Sequence, residues 1–176
     1  MATPSPTLGT LLRHLIELLD RDVEAAYEAA GLNWRPRYTP VLRALLSHGP
    51  ASIRLLSREI GITHSAVSQT VSQMVKDGLV ELKPGADARE RIVVLTGQTE
   101  AMVPALRRQW AATNAAASEL DAALSAPLSQ VAAEAIEALT QRPFGERIRQ
   151  AAEAAKSGCP VSKVLNAELT MDLTVG

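Results

Sequence analysis

The chain has 176 residues, of which 47% are hydrophobic but only 3% aromatic, and its formal net charge is −1. A core of this composition must be built mainly from Leu, Val, Ile and Ala, a mixture that favours helices. There is no run of about 18 apolar residues, so we expect no membrane span, signal peptide or membrane partner. The single cysteine, Cys159, cannot form an internal disulfide, which fits a reducing cytoplasm.

The small net charge conceals an uneven distribution along the chain. Residues 1–34 carry −3, residues 35–110 carry +5 and residues 111–176 carry −3. A basic middle between acidic ends indicates that the middle segment meets a polyanion while the ends serve another purpose.

Apolar residues near the start of the chain recur at three- and four-residue steps, which predicts helices. The first helix extends from Leu8 to Gly31, where the glycine ends it. After a connection over residues 33–37, a second helix is closed by the sequence His48-Gly49-Pro50. It is marked by Val41, Leu42, Leu45 and Leu46.

Two further helices are separated by a short glycine turn. Ser52 is suited to cap the third helix, which Gly61 ends, and Thr63 is suited to cap the fourth, which Gly78 ends. The fourth helix has an apolar stripe that should face the core. It consists of Val67, Val71, Met74 and Val75.

The apolar period changes from 3.6 to 2 after Gly78, which predicts a β-hairpin. Residues 80–83 alternate, residues 84–87 have the composition of a turn, and residues 91–95 are rich in β-branched side chains.

A long Ala-rich helix follows over roughly residues 97–124, with Thr96 as its cap. Pro104 lies inside it, so the helix either kinks there or begins there. Two more helices follow Pro127 and Pro143. The tail, residues 157–176, alternates like a strand but has no obvious partner, so it is either a strand or disordered.

The fourth helix also carries a face of short hydroxyl and amide side chains, which we call the polar stripe. Ser and Gln hold a helix less well than Glu or Lys, but they donate and accept hydrogen bonds at base edges and phosphates. No acidic residue interrupts this face, and the alternative is an ordinary solvated surface. The polar stripe consists of Ser65, Ser68, Gln69, Ser72, Gln73 and Lys76.

The predicted fold is mainly α with a small β-hairpin wing, because helix, tight turn, helix and hairpin follow in the order of a winged helix-turn-helix. The hairpin tip carries Arg89 and Arg91. An arginine at such a tip can enter a minor groove, and Asp87 is suitably placed to pair with it. Taken alone, the tip is better explained as a solvated turn of mixed charge.

Residues 52–96 resemble the MarR family of bacterial winged-helix regulators. The resemblance rests on the segment LSREIGITHSAVSQTVSQMVKDGLVE and on the wing pattern Asp87-x-Arg89 followed by Val94-Leu95-Thr96. The long first helix and the Ala-rich helices after the wing match the family in pattern. Glu90 among the wing arginines departs from it, and the tail has no counterpart.

The resemblance implies a homodimeric DNA-binding transcriptional regulator, often a repressor released by a small, frequently phenolic, ligand. Residues 1–34 would form an N-terminal dimerisation helix, 35–100 the DNA-binding lobe, 101–156 C-terminal dimerisation helices, and 157–176 a tail. The partners would be a pseudo-palindromic operator in double-stranded DNA, a second copy of the chain and an effector.

The resemblance also implies roles for particular side chains. The Ser and Gln residues of the polar stripe would face the major groove. Thr63, His64 and Lys76 would contact phosphate, and Arg89 would enter the minor groove.

A ligand pocket of the family would be approached by a group of aromatic and basic side chains, which suit an anionic aromatic compound. The alternative is that the aromatic members simply pack the junction. The group consists of His14, Trp34, Arg35, Arg37 and Tyr38. Some family members sense oxidants through cysteine, but nothing around Cys159 favours the reactive thiolate.

Two other classes of function fit the sequence less well. The histidines (His14, His48 and His64) are scattered and no phosphate-binding glycine loop or Ser/His/acid set is present, so we expect no enzyme, cofactor or metal site. The stronger alternative is a winged-helix protein–protein interaction module without specific DNA binding, which would need neither the polar stripe nor an arginine at the wing tip.

Overall fold

A computed structural model describes residues 5–85 and 90–158, with side chains as far as residue 155. The chain forms two compact units, and the boundary between them lies between Ala115 and Ala116. Within the described ranges, no helix is long and apolar enough to cross a bilayer. The elements in chain order are α1 (Leu8–Ala29), a 3-10 turn (Pro36–Tyr38), α2 (Thr39–His48), β1 (Ala51–Ser52), α3 (Ile53–Ile60), α4 (His64–Lys76), β2 (Val80–Pro84), β3 (Arg91–Leu95), α5 (Gly97–Ala123), α6 (Leu128–Gln141) and α7 (Phe144–Gly158).

The predicted helix caps of the lobe are confirmed. The hydroxyl oxygens of Ser52, Thr63 and Thr96 each accept a hydrogen bond from the backbone N–H three residues later, at 3.3 Å. Such a bond satisfies one of the amide groups that the first turn of a helix leaves without a partner. At the other ends, Gly61 and Gly78 adopt φ of +75° and +71°, which favours glycine over residues with a Cβ.

The sheet has a third strand that the sequence did not indicate. The strand order is β1-β3-β2, with both pairs antiparallel. The two-residue β1 pairs Ala51 with Val93 and Ser52 with Ile92, and in β2 the residue Leu82 pairs with Val93. A dipeptide is too short to show a period of two, so only tertiary pairing identifies it.

Helix α5 starts directly after Thr96 and continues through Pro104. Of the two interpretations left open by the proline, a helix beginning near Pro104 is wrong. Two hydrogen bonds fix the start of the helix at Thr96. The Thr96 hydroxyl accepts from the backbone N–H of Thr99, and the fully buried Thr99 hydroxyl donates to the carbonyl oxygen of Leu79 at 2.7 Å.

The hydrophobic core lies in the first unit, between α2, α3, α4 and the sheet. Val67, Val71 and Met74 are at most 1% exposed, as predicted for the apolar face of α4. The inclusion of Val75 in that face is wrong, since it is 37% exposed. It follows Met74 directly, and one residue along a helix turns the side chain by about 100°. The core also takes up Tyr27, Leu32, Trp34, Tyr38, Val41, Leu42, Leu45, Ala51, Leu56, Leu79, Val80, Val93 and Leu106.

The helices outside this lobe leave large apolar side chains uncovered. In the second unit, α6 buries none of its residues. In α1, only Tyr27 is buried. The exposed side chains of these elements include Leu8, Leu11, Leu12, Ile16, Leu18 and Leu19 in α1, Val131, Ile136 and Leu139 in α6, and Phe144 and Ile148 in α7.

The four-part domain division stays a prediction. The predicted tail and Cys159 lie outside the described residues, except that α7 extends to Gly158.

Candidate nucleic-acid interface

The turn between α3 and α4 fixes the angle at which α4 stands on the lobe. Gly61 has a left-handed backbone conformation, and the Ser57 hydroxyl donates to the carbonyl oxygen of Ile62 at 2.6 Å. Leu56 anchors α3 in the core with 1% exposure, while Val67 and Val71 anchor α4. This packing turns the opposite face of α4 outward, which is the face that a helix-turn-helix presents to a major groove.

The polar stripe lies on this outward face. Its members Ser65, Gln69, Ser72 and Lys76 are exposed, while Ser68 and Gln73 are half-buried. The stripe therefore forms one continuous polar surface of hydroxyls, amides and a single cation.

The two remaining candidates on α4 stand at its N-terminus. His64 is exposed. The Thr63 hydroxyl caps the helix by accepting from the N–H of Ala66. That hydroxyl keeps its own hydrogen for donation, and the helix N-terminus favours an anion such as a phosphate.

Asp77 is an acidic residue at the C-terminal end of α4, next to Lys76 of the polar stripe. Its Oδ1 accepts from the Gln73 Nε2 at 2.8 Å, and its Oδ2 accepts from the Tyr38 hydroxyl at 2.6 Å. The four-residue spacing of Gln73 and Asp77 on a helix could have indicated the first bond. Nothing in the sequence indicated the second, because Tyr38 is distant along the chain.

These contacts favour the ionised carboxylate. The hydrogen bond from Tyr38 holds the pKa of Asp77 below its usual value, and the Gln73 amide and the charges of Arg35 and Arg37 act in the same direction. Burial and the neighbouring Asp77 raise the pKa of the Tyr38 hydroxyl, so that it stays a donor.

In the described part of the hairpin, Arg91 is the first residue of β3. It is exposed and lies opposite Pro84, the last residue of β2. The backbone N–H of Gly85 donates to the carbonyl oxygen of Glu90 at 2.9 Å, which closes the base of the turn. Asp87 and Arg89 lie outside the described residues.

The predicted ligand-binding residues are divided between core and surface. Trp34 and Tyr38 are 2% and 1% exposed and meet edge to face, with ring centroids 5.6 Å apart. The Arg37 guanidinium lies 5.5 Å from the centre of the Tyr38 ring, while His14 is exposed on α1. The arrangement is that of a packed junction, and a ligand role for these residues stays a prediction.

Partly buried hydrogen bonds, also missed from the sequence, connect this junction to α1 and α5. The indole N–H of Trp110 donates to the Tyr27 hydroxyl at 3.1 Å, and that of Trp34 donates to the Thr39 hydroxyl at 3.1 Å. The Tyr27 and Thr39 hydroxyls are themselves 3.4 Å apart.

Two open cavities, each of about 410 Å³, lie on the lobe, and none of Trp34, Arg37 and Tyr38 lines either of them. One lies between α2 and α3 and is lined by polar side chains that include Arg43, His48 and Glu59. The other lies beside the end of α4 and is lined by Asp77 and by Met102 of α5, among others. In the part of the chain that is described, no group of three or more metal-ligating side chains is close enough to hold a metal ion.

The sequence of residues 30–90 matches the model of the MarR family. This range contains α2, α3, α4 and the start of the hairpin, and therefore the whole polar stripe. No curated protein matches the chain at a significant level.

Solved structures share the fold over most of the chain. The MosR transcriptional regulator of M. tuberculosis in complex with DNA is 21% identical, with a TM-score of 0.60 over 86% of this chain and 99% of its own. The PcaV regulator of Streptomyces coelicolor with its natural ligand is 21% identical, with a TM-score of 0.54 over 80% and 99%.

A third similar structure is that of BpsR from Bordetella bronchiseptica, whose DNA binding is regulated by 6-hydroxynicotinic acid. It is 20% identical, with a TM-score of 0.52 over 81% of this chain and 98% of its own. At these identities the structures establish the fold, a mainly helical chain with a small three-stranded sheet.

Proposed function

We propose that this chain, whose residues 30–90 match the MarR family model, is a homodimeric, sequence-specific transcriptional repressor that a small ligand releases from DNA. The observation that carries the proposal is the outward polar stripe of α4. A protein–protein interaction module would need the buried face of this helix but would have no use for six exposed or half-exposed polar groups without an acidic residue among them.

The charge of the lobe supports a polyanionic partner. Residues 35–110 carry +5 although the whole chain carries −1. In our proposal the stripe's Ser and Gln side chains contact base edges, and Thr63, His64 and Lys76 contact phosphates. Arg89 enters the minor groove beside Asp87 and Arg91.

The uncovered apolar side chains of α1, α6 and α7 support a homodimer. Ile16 of α1 is 57% exposed, Ile136 of α6 67% and Phe144 of α7 60%. Uncovered large apolar side chains in such number are unusual on a monomer, and a second copy of the chain can supply a matching surface by symmetry.

Release by a ligand is supported by similar proteins. BpsR is regulated by 6-hydroxynicotinic acid and PcaV was solved with its natural ligand. In our proposal the effector is an anionic aromatic compound, and His14, Trp34, Arg37 and Tyr38 form the approach to its site.

The proposal is tested by selecting binding sites from random DNA with the purified protein and then titrating the selected site at increasing salt. We expect a pseudo-palindromic site, and an affinity that falls roughly a thousandfold between about 50 and 200 mM salt, as several phosphate contacts require. Fluorescence anisotropy measures the affinity. Absence of selected sites, or salt-independent binding, would instead support the interaction module.

Arg89→Ala provides the variant for the wing. It should weaken operator binding and reduce the magnitude of the salt slope by about one, with the dimer intact. Arg149→Ala, which removes an exposed arginine of α7, is the matched control. Equal affinities for Arg89→Ala and wild type would contradict the role of the wing.

A further inference from the structure

We propose that Asp77 is a positioning residue that fixes the orientation of the Gln73 amide and thereby sets the base selected opposite that side chain. The inference rests on the proposed DNA-binding function and deepens it, because it assigns base specificity to a residue that does not itself contact a base.

The first step of the argument is the geometry of the carboxylate. Asp77 follows the last residue of α4, and its two oxygens accept from two different elements, Gln73 of α4 at 2.8 Å and Tyr38 at 2.6 Å. Tyr38 is 1% exposed and its ring packs against Trp34, so it provides a rigid attachment in the core. The bond from the buried Tyr38 therefore fixes the position of the carboxylate, and the carboxylate in turn fixes the Gln73 amide.

The second step is the chemistry of the amide. An ionised carboxylate only accepts hydrogen bonds, so it binds the nitrogen end of the Gln73 amide and repels the oxygen end. Without such a partner the two ends of a glutamine amide exchange freely. With it, Oε1 is turned away from Asp77 and a single orientation is selected.

The third step is recognition. The Gln73 Nε2 carries two hydrogens, of which one is given to Asp77. The second hydrogen and Oε1 remain as an adjacent donor and acceptor. That pair matches N7 and N6 of adenine in the major groove, the contact in which glutamine is bidentate. We therefore infer that Gln73 selects adenine at one position of each half-site.

The carboxylate keeps its charge under the conditions of DNA binding. Arg35 and Arg37 contribute favourable charge, and the pKa of Asp77 lies below its usual value because of the bonds from Tyr38 and Gln73. A protonated Asp77 could donate to Oε1 and would lose its preference for the nitrogen, so the depressed pKa preserves the orientation.

The experiment compares binding-site selection by the full-length wild type and by Gln73→Ala, Asp77→Asn and Tyr38→Phe. Gln73→Ala identifies the position, because the adenine preference there should disappear. Asp77→Asn keeps the shape but lets the side chain either donate or accept, so the preference at that position should fall about tenfold while all other positions are unchanged. Tyr38→Phe keeps the buried ring and should reduce the preference at the same position by a smaller factor.

Asp121→Asn is the matched control, since Asp121 is a half-buried carboxylate of α5 that accepts a hydrogen bond from Ser129 outside the lobe. It should leave the selected sequence unchanged.

Three results would overturn the inference. One is an Asp77→Asn protein that keeps the wild-type preference at the Gln73 position, and another is one that loses affinity equally for every sequence. The third is a Gln73→Ala protein that selects the wild-type site. Failure of the proposed function has a different signature, because the wild type itself would then select no sequence.

Discussion

Asp77 shows how one side chain connects the core to the surface of α4. Its partners come from the chain before α2 and from α4 itself, and both favour the charged carboxylate. The folded lobe should therefore bind the Asp77 proton more weakly than the unfolded chain does.

We expect this difference to appear in the pH dependence of stability. Since the pKa of Asp77 is lowered from 3.8, its contribution is fully present above that value and is lost as the pH falls through the folded-state pKa. The difference in unfolding free energy between wild type and Asp77→Asn, measured by urea denaturation, should thus be largest near neutral pH and decline below about pH 4. Asp22→Asn, which removes a carboxylate 73% exposed on α1, controls for the change in net charge. A difference that grows on acidification would contradict this account.

The roles of individual side chains were predictable where they depend only on neighbouring residues in the sequence. The caps Ser52, Thr63 and Thr96 follow from helix starts, and the polar stripe follows from helical period. The Tyr38–Asp77 bond was not predictable, because it joins residues whose proximity depends on the finished packing. The exposure of Val75 was missed because it neighbours Met74 at the edge of the apolar face.

The turn between α3 and α4 depends on the backbone of one residue. Gly61 has φ of +75° and ψ of 22°, and a Cβ built on it would meet nothing within 4 Å. Any cost of Gly61→Ala must therefore come from the left-handed backbone, which disfavours alanine by about 1–2 kcal/mol. Urea denaturation should show a loss of stability of that size.

Gly97→Ala is the control for this substitution. Gly97 is the first residue of α5, lacks a positive φ and likewise has open space at the Cβ position. Alanine there should leave the unfolding free energy unchanged or raise it by up to about 1 kcal/mol. Equal losses in the two variants would contradict the backbone explanation.

Helices and the hairpin were predictable because each has its own period and its own end signals. Strand β1 was not, since two residues carry no period and their pairing with β3 is a tertiary event. Pro104 left two starts open for α5, and the capping bond at Thr96 decided between them.

The uncovered apolar surface of α1 predicts that a single charge on it weakens the association of two copies. Ile16→Glu introduces a charge at a side chain that is 57% exposed in the single chain, and should shift sedimentation equilibrium from dimer towards monomer. Leu82→Lys, at a wing position 42% exposed, is the control and should remain dimeric. A wild type that is monomeric at micromolar concentration would contradict the proposed homodimer.

The division of the chain by charge agrees with the position of the structured lobe. Residues 35–110, with a net charge of +5, contain α2, α3, α4 and the sheet. The helices with exposed apolar side chains, α1, α6 and α7, lie largely in the two acidic ends. Composition could indicate this separation, but it could not indicate which helix faces pair, because pairing between copies requires the three-dimensional arrangement of both.

The short strand β1 has a consequence for folding. Ala51 of β1 pairs with Val93 of β3, and the stretch of chain between these two residues contains α3 and α4. Closing a loop of this length has an entropic cost that is recovered only when the enclosed helices pack. The helix pair and the hairpin should therefore form and open as one cooperative unit. Local unfolding of α4 should therefore be rare while the sheet stays intact.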